Sequence, residues 1–287
     1  SGATTLSLSA PWITLTNSTF PSGANVTEGL TRLSLSSQWL EVSGAIQFSG
    51  FQQLDLGADR DIRLSDRFYT LGTTSLCQGQ LETAGNLTCR ADRIYPTTLA
   101  DFTLRSGGKL TTLPRNGALE RPVYSAGGKL TLEAAHIEHR GFLAAPAGEL
   151  LLRSTGSQGR TFLAEGSVIS VAGSKAVNYG DRSTLYWTVP DKVSRLPVNV
   201  ETAPLGAVSL EGSEVIVKDG AQIDISGGGS VFGYQFLAGI DGSTDPLTKP
   251  GTFVILPSDP LALPGTTIYL SGVPDLAPGF YSLLPTE

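Results

Sequence analysis

One pattern constrains this chain more than any other: Leu-x-Leu-x-small-x-x-apolar, recurring along its length. It reads Leu6-Ser-Leu8-Ser-Ala10-Pro-Trp12-Ile13 and returns as Leu33-Ser-Leu35-Ser-Ser37-Gln-Trp39-Leu40. It recurs as Leu87-Thr-Cys89-Arg-Ala91-Asp-Arg93-Ile94 and as Leu130-Thr-Leu132-Glu-Ala134-Ala-His136-Ile137. The fifth copy is Val208-Ser-Leu210-Glu-Gly212-Ser-Glu214-Val215. In every copy the last apolar residue sits five positions after the second member of the alternating pair. A shorter echo gives Gly108-Lys-Leu110, Gly128-Lys-Leu130 and Gly148-Glu-Leu150, with the leucines spaced by 20 and 20. A recurring unit near this length, built from short alternating strands, predicts a solenoid. Alternate Leu, Ile and Val point into a narrow core and the Ser, Thr, Glu and Lys between them point out. The small residue lets the chain turn a corner, and the next coil stacks one strand spacing further on.

Alternation also marks Lys129-Leu-Thr-Leu-Glu133, Ser167-Val-Ile-Ser-Val171 and Gln222-Ile-Asp-Ile-Ser226, each bounded by turn residues. Helical periodicity is missing, so the expected fold is all-β: a right-handed parallel β-helix with extra-helical insertions and a Pro-rich C-terminal extension. The 287 residues include 34 Gly and 17 Pro, and only 16% are charged, which suits a coil with many turns and few interior charges. At 40% apolar the chain can build a sizeable core.

The domain expectation is a β-helix over 1–232, with insertions near 66–106 and 176–205. Residues 233–287 are expected as a Pro-rich extended segment packing on the coil. Eight of the 17 prolines fall between Pro246 and Pro285, and proline removes a ladder donor. Phe253-Val-Ile-Leu-Pro257 and Phe280-Tyr-Ser-Leu-Leu-Pro285 resemble each other and read as two strands along the side of the coil.

Several function classes are disfavoured. A net charge of −6 without a dense basic run argues against nucleic acid. No run approaches 18 apolar residues, so no transmembrane helix is expected. No signal peptide opens the chain. With Ser1 first and no methionine anywhere, the sequence reads as a processed product or an excised piece. Two cysteines and two histidines make a structural zinc site implausible. Cys77 and Cys89, 12 apart around the Gly85-Asn86 turn signal, either close a short disulfide or stay reduced in the core. The disulfide is preferred, because the remaining features point outside the cytoplasm.

The stretch Ala126-Gly-Gly-Lys-Leu-Thr-Leu-Glu-Ala-Ala-His-Ile-Glu-His-Arg-Gly141 resembles the coil repeat of filamentous haemagglutinin-type exoproteins, the large passengers of two-partner secretion in Gram-negative bacteria. Ile223-Asp-Ile-Ser-Gly-Gly-Gly-Ser-Val-Phe-Gly-Tyr-Gln-Phe236 and Pro278-Gly-Phe-Tyr-Ser-Leu-Leu-Pro285 look like blocks from distal parts of some members. The resemblance implies a right-handed β-helix at the bacterial cell surface. It further implies export through an outer-membrane partner transporter, and adhesion or biofilm work by binding a glycan or a host or bacterial surface receptor. The Asn-Pro-Asn motifs of the family's secretion domain are missing, which implies an internal or distal segment. No cofactor is implied.

Each candidate site also admits a plain structural role. Asp55, Asp59, Asp61 and Asp66 are interleaved with Arg60, Arg63 and Arg67. A β-helix lyase or glycosidase needs carboxylates converging on one face, whereas mixed charges usually make a solvated, self-neutralised one, and that reading is preferred. His136 and His139, with Glu133 and Glu138 nearby, lie three apart and point to opposite faces of a strand, so two exposed histidines are expected rather than a metal site. Asp241-Gly-Ser-Thr-Asp245 reads as a turn before it reads as a calcium loop.

Trp12 and Trp39 hold equivalent positions just before an inward residue, so both are expected to point outward. There they form either a sugar-stacking platform or a cover for the coil corner. The excursion at 176–205 adds Tyr179, Tyr186 and Trp187 as candidate binding residues. No catalytic residue is assigned. The expected function is a non-catalytic segment of a secreted surface adhesin. The alternatives are a carbohydrate-active β-helix enzyme, either polysaccharide lyase or glycosidase, and a pure spacer.

Overall fold

The computed structural model describes residues 4–17, 19–21, 25–71, 74–116, 123, 125–173, 176–182, 187–190, 197–200, 205–227, 230–234, 239–242, 253–256 and 267–285. Among them every regular element is a β-strand. The chain divides into two compact units, Ser1–Gly233 and Tyr234–Glu287.

The first unit winds into stacked coils whose strands pair in parallel, as in a β-helix. Three faces can be followed from coil to coil. Face A begins at Thr5–Ser9 and passes through the first halves of Thr31–Ser43 and Phe51–Ser65, then Asn86–Arg90. It continues through the second halves of Asp101–Leu113 and Lys129–His139 to Arg160–Leu163 and Glu214–Val217. Face B runs from Trp12–Thr16 through the second halves of Thr31–Ser43 and Phe51–Ser65 to Arg93–Pro96. Beyond that lie Phe142–Ala144, Val168–Ser170 and Gln222–Asp224. Face C stacks Ala45–Phe48, the end of Thr74–Thr83, the first halves of Asp101–Leu113 and Lys129–His139, then Glu149–Ser154 and Ala207–Glu211.

Parallel register aligns inward residues into columns. On face B the column is Ile13, Leu40, Ile62, Ile94, Leu143, Ile169 and Ile223. Face A carries one column of Leu6, Leu33, Leu54, Leu87, Leu110, Ile137, Thr161 and Val215. Its second column is Leu8, Leu35, Leu56, Cys89, Thr112, His139, Leu163 and Val217. The buried apolar members of these columns belong to one continuous core, in which each coil covers the next.

The repeat read from sequence is therefore a corner motif, and it serves two different corners. In the copies at 6–13, 33–40 and 87–94 the chain passes from face A to face B. In the copies at 130–137 and 208–215 it passes from face C to face A. The 20-residue spacing holds for Leu130 and Leu150, which stack directly. It does not hold for Leu110, which sits on face A between Leu87 and Ile137. The corners need small residues because two strands converge there. Ser106 fills one and donates its hydroxyl to Gly85 O at 2.7 Å, and Ser37 does the same to Gly57 O at 3.2 Å. Gly79 lies under Phe102, whose Cδ2 would stand 2.3 Å from an added Cβ, so a side chain there displaces the ring.

Two antiparallel excursions leave the coil. Arg67–Leu71 pairs with Thr74–Thr83, so within 66–106 the departure is this hairpin, and Gln80 onward rejoins face C. Tyr69 ties the hairpin back: its hydroxyl accepts from Ala45 N at 2.6 Å. The second excursion is an antiparallel sheet of Ala176–Arg182, Trp187–Pro190 and Pro197–Val200, joined by Ser230–Tyr234.

The expected disulfide is not formed. Cys77 sits opposite Phe68 on the hairpin, whereas Cys89 points into the core between Leu56 and Thr112. Burial pushes the Cys89 thiol up to about 12, so it is inert as a nucleophile.

In the second unit Phe253–Leu256 and Thr267–Leu270 flank Gly279–Pro285, all antiparallel. The two similar stretches found in sequence are thus hydrogen-bonded partners, Val254 opposite Leu284. The central strand carries proline only at its last residue, Pro285, opposite Phe253.

Candidate functional site

The outer surface of face A holds a cleft of about 650 Å³. Its lining includes Lys109, His136, Glu138, Arg140, Arg160 and Phe162. Strand register builds it. Lys109, His136 and Arg160 occupy one outward column, and Glu138 and Phe162 pair in the next. The inward Leu110, Ile137 and Leu163 beneath are buried, so the outward side chains stand on a rigid base. Glu138 accepts from both Lys109 Nζ and Arg140 Nε. Partial burial pushes the Glu138 carboxyl up, but these two bonds outweigh it and hold the group below its usual range. Arg160 Nε donates to Glu214 at 2.6 Å. The result is a cationic cleft with a half-buried aromatic ring in its wall.

The tryptophans align as expected, Trp12 beside Trp39 and Ile13 beside Leu40. They do not form a platform of two equal rings, because Trp39 is only 5% exposed while Trp12 is 37% exposed. Trp39 has a coil on each side, with Asp61 as its neighbour in the next. The Arg63 guanidinium lies 6.0 Å from its ring centroid, at the limit of a cation–π contact. Trp12 lies on the first described coil, whose strand pairs on one side with that of Trp39 and, among the described residues, has no strand on the other. Tyr179 and Trp187 lie on strands of the second excursion, Trp187 opposite Arg182 and Val200. Tyr186 falls outside the described residues, as does Asp245, while Asp241 is exposed with a left-handed φ of 61°.

The mixed-charge cluster separates into individual pairs. Asp55, on the outside of face A, meets Gln53 at 2.8 Å and Arg32 at 3.3 Å. Asp59 accepts from Arg115 at 2.9 Å, and Asp66 accepts from Asp101 N at 3.1 Å. Arg63 reaches Glu41 at 3.5 Å, and Arg67 donates to Thr16 at 2.7 Å. Asp61 is fully buried on the outer side of face B. It receives Arg93 through Nε at 2.8 Å and Nη2 at 2.7 Å, plus the Tyr95 hydroxyl at 2.8 Å. Burial raises the Asp61 carboxyl, and Arg93 and Tyr95 oppose that shift. Burial, with the Asp61 charge, drives the Tyr95 phenol well upward. A second apolar cluster of Tyr95, Val123, Ala144 and Phe142 lies beside this network.

The two histidines do point to opposite faces, but only His136 is exposed. His139 is fully buried, because alternation puts Ile137 and His139 inward and His136 and Glu138 outward. His139 Nε2 lies 3.0 Å from Val168 O, and a carbonyl only accepts, so Nε2 carries the hydrogen. Nδ1 then accepts the Thr112 hydroxyl at 2.6 Å. Burial lowers the imidazole to about 4, so it is neutral at physiological pH. Among the described residues no group of three or more His, Cys, Asp or Glu gathers to hold a metal, and no helix is long and apolar enough to cross a membrane.

Lys109, Arg140, Arg160 and Phe162 were not legible as a set in the sequence. They come together only once Leu110 is placed on face A, a phase the 20-residue echo obscures. No family model, no curated protein and no solved structure matches the chain.

Proposed function

We propose that this chain is a segment of a secreted bacterial surface adhesin, a rigid right-handed β-helical rod that binds and does not catalyse. The observation that carries the reading is the set of unbroken inward columns, such as Ile13 through Ile223 on face B. Such columns make a scaffold stiff along the stack, from which excursions can be held out. The sequence resemblance to filamentous haemagglutinin-type exoproteins supports the same reading. It adds an outer-membrane transporter as the export partner of the full-length protein and cell-surface or biofilm adhesion as the role. The Pro-rich extension belongs to this picture as a further segment of the same surface protein.

Binding is preferred to catalysis because the acidic side chains at 55–66 are engaged one by one, with separate partners. A glycosidase instead sets two carboxylates across one sugar. The deciding experiment is a glycan array beside a reducing-sugar release assay on the same polysaccharides. Binding without release is expected. Release of reducing ends replaces the adhesin with an enzyme, and silence in both leaves a spacer.

A further inference from the structure

The face A cleft has a chemistry of its own. Its cations already take carboxylates: Lys109 and Arg140 share Glu138, and Arg160 holds Glu214. An ammonium has three donors and a guanidinium five, so each keeps N–H groups to spare. Lys109, Arg140 and Arg160 are each about half exposed at the side chain, at 48%, 50% and 56%. Two cations on one carboxylate leave a positive surplus in the cleft, and exposed His136 adds two ring nitrogens.

Geometry adds direction. Lys109, His136 and Arg160 stand in register on three successive coils. Parallel strands are ~4.8 Å apart, so this column spans about 10 Å along the stack. A linear chain laid along it meets a hydrogen-bonding side chain at each rung. Phe162 offers an apolar face beside that column, and the flat faces of sugars stack on aromatic rings.

We infer that this cleft binds a carboxylated glycan, an oligouronate chain laid along the stack, with its carboxylates on Lys109, Arg140 and Arg160 and a sugar face on Phe162. The inference rests on the adhesive reading for its setting and on the cleft for its content. Carboxylate is the favoured anion because a planar guanidinium matches it with two parallel N–H bonds.

The test is calorimetric titration of the whole chain with three oligosaccharides of equal length: an oligogalacturonate, its methyl ester and a sulfated neutral oligosaccharide. The uronate is expected to bind, and the ester to bind at least about tenfold more weakly, since each lost charge-assisted bond is worth that factor or more. Lys109→Gln and Arg160→Gln should each weaken uronate binding by about tenfold. Phe162→Ala should weaken it as well. Arg153→Gln, on face C, should leave it unchanged. Both Gln variants remove exposed ion pairs and should melt with the parent, which separates lost binding from lost folding.

Equal affinity for the ester, an unchanged affinity in the Lys109 and Arg160 variants, or equal affinity for the sulfated chain each overturns the inference. Array binding to neutral glycans that ignores these variants leaves the adhesin standing and removes the cleft. Release of reducing ends from polyuronate, abolished by the same variants, keeps the cleft and removes the adhesin.

Discussion

The middle coils and the end coils are built from the same columns and live in different solvents. Leu54 and Leu87 are fully buried, but Leu6, at the start of their column, is 51% exposed. At the other end Val215 and Val217 are 42% and 47% exposed. Leucine or valine stands at both ends and in the middle of this column, yet burial differs between them. In a solenoid the apolar interior is supplied by neighbours, so a side chain's contribution depends on how many coils flank it. Trp12 and Trp39 make the same point on the outside of face B.

Four measurements test that contrast. The largest effect is expected at the mid-stack ion pair. Arg93→Ala leaves Asp61 as an uncompensated buried charge and should cost about 3–5 kcal/mol in urea unfolding. A loss below about 1 kcal/mol would show that water reaches Asp61.

Next comes the core column itself. Leu87→Ala should cost about 2–5 kcal/mol, while Leu6→Ala at the end should cost well under half as much. Equal costs would mean that the stack ends are covered in solution.

The third effect depends on pH. His139 is depressed to about 4 in the fold against 6.5 unfolded, so the unfolded chain binds the proton more readily. Its neutral form fits the fold, and stability should fall as pH drops from 6.5 towards 4 and level off below. The total is about 3 kcal/mol. His139→Leu should flatten that slope, since Leu163 already occupies the same column. A slope unchanged by His139→Leu would place the acid sensitivity elsewhere. The smallest change is expected on face C, where Arg105 meets Glu133 at 3.0 Å on the surface. Arg105→Gln should shift stability by about 1 kcal/mol or less.

How much of this was legible follows from what alternation encodes. Period 2 tells inward from outward, and it correctly set Ile13 against Trp12 and His136 opposite to His139. It does not say which face a strand belongs to. The corner motif is the same at the A-to-B turn of Leu87–Ile94 and at the C-to-A turn of Leu130–Ile137, so sequence alone could not phase the coil. That single ambiguity concealed the Lys109, His136 and Arg160 column. It also left Cys89 beside Cys77 in sequence, when the ladder places Cys89 between Leu56 and Thr112. His139 was missed for another reason: an imidazole is polar by type, yet Thr112 and Val168 O satisfy both of its nitrogens and let it replace a leucine in the core.

The direction of the backbone bonds has a mechanical consequence. In parallel coils the N–H and C=O groups point up and down the stack, joining one coil to the next. Tension that draws one coil off another therefore loads these bonds along their length. Because each coil holds mainly its neighbours, the stack should yield from an end, one turn at a time. From Leu35 to Leu56, for instance, one turn holds 21 residues of stored length. Stretched at roughly 3.3–3.6 Å per residue, it would pay out about 70 Å before the next turn takes the strain. Coils drawn apart in this way would give a series of small yields rather than one break.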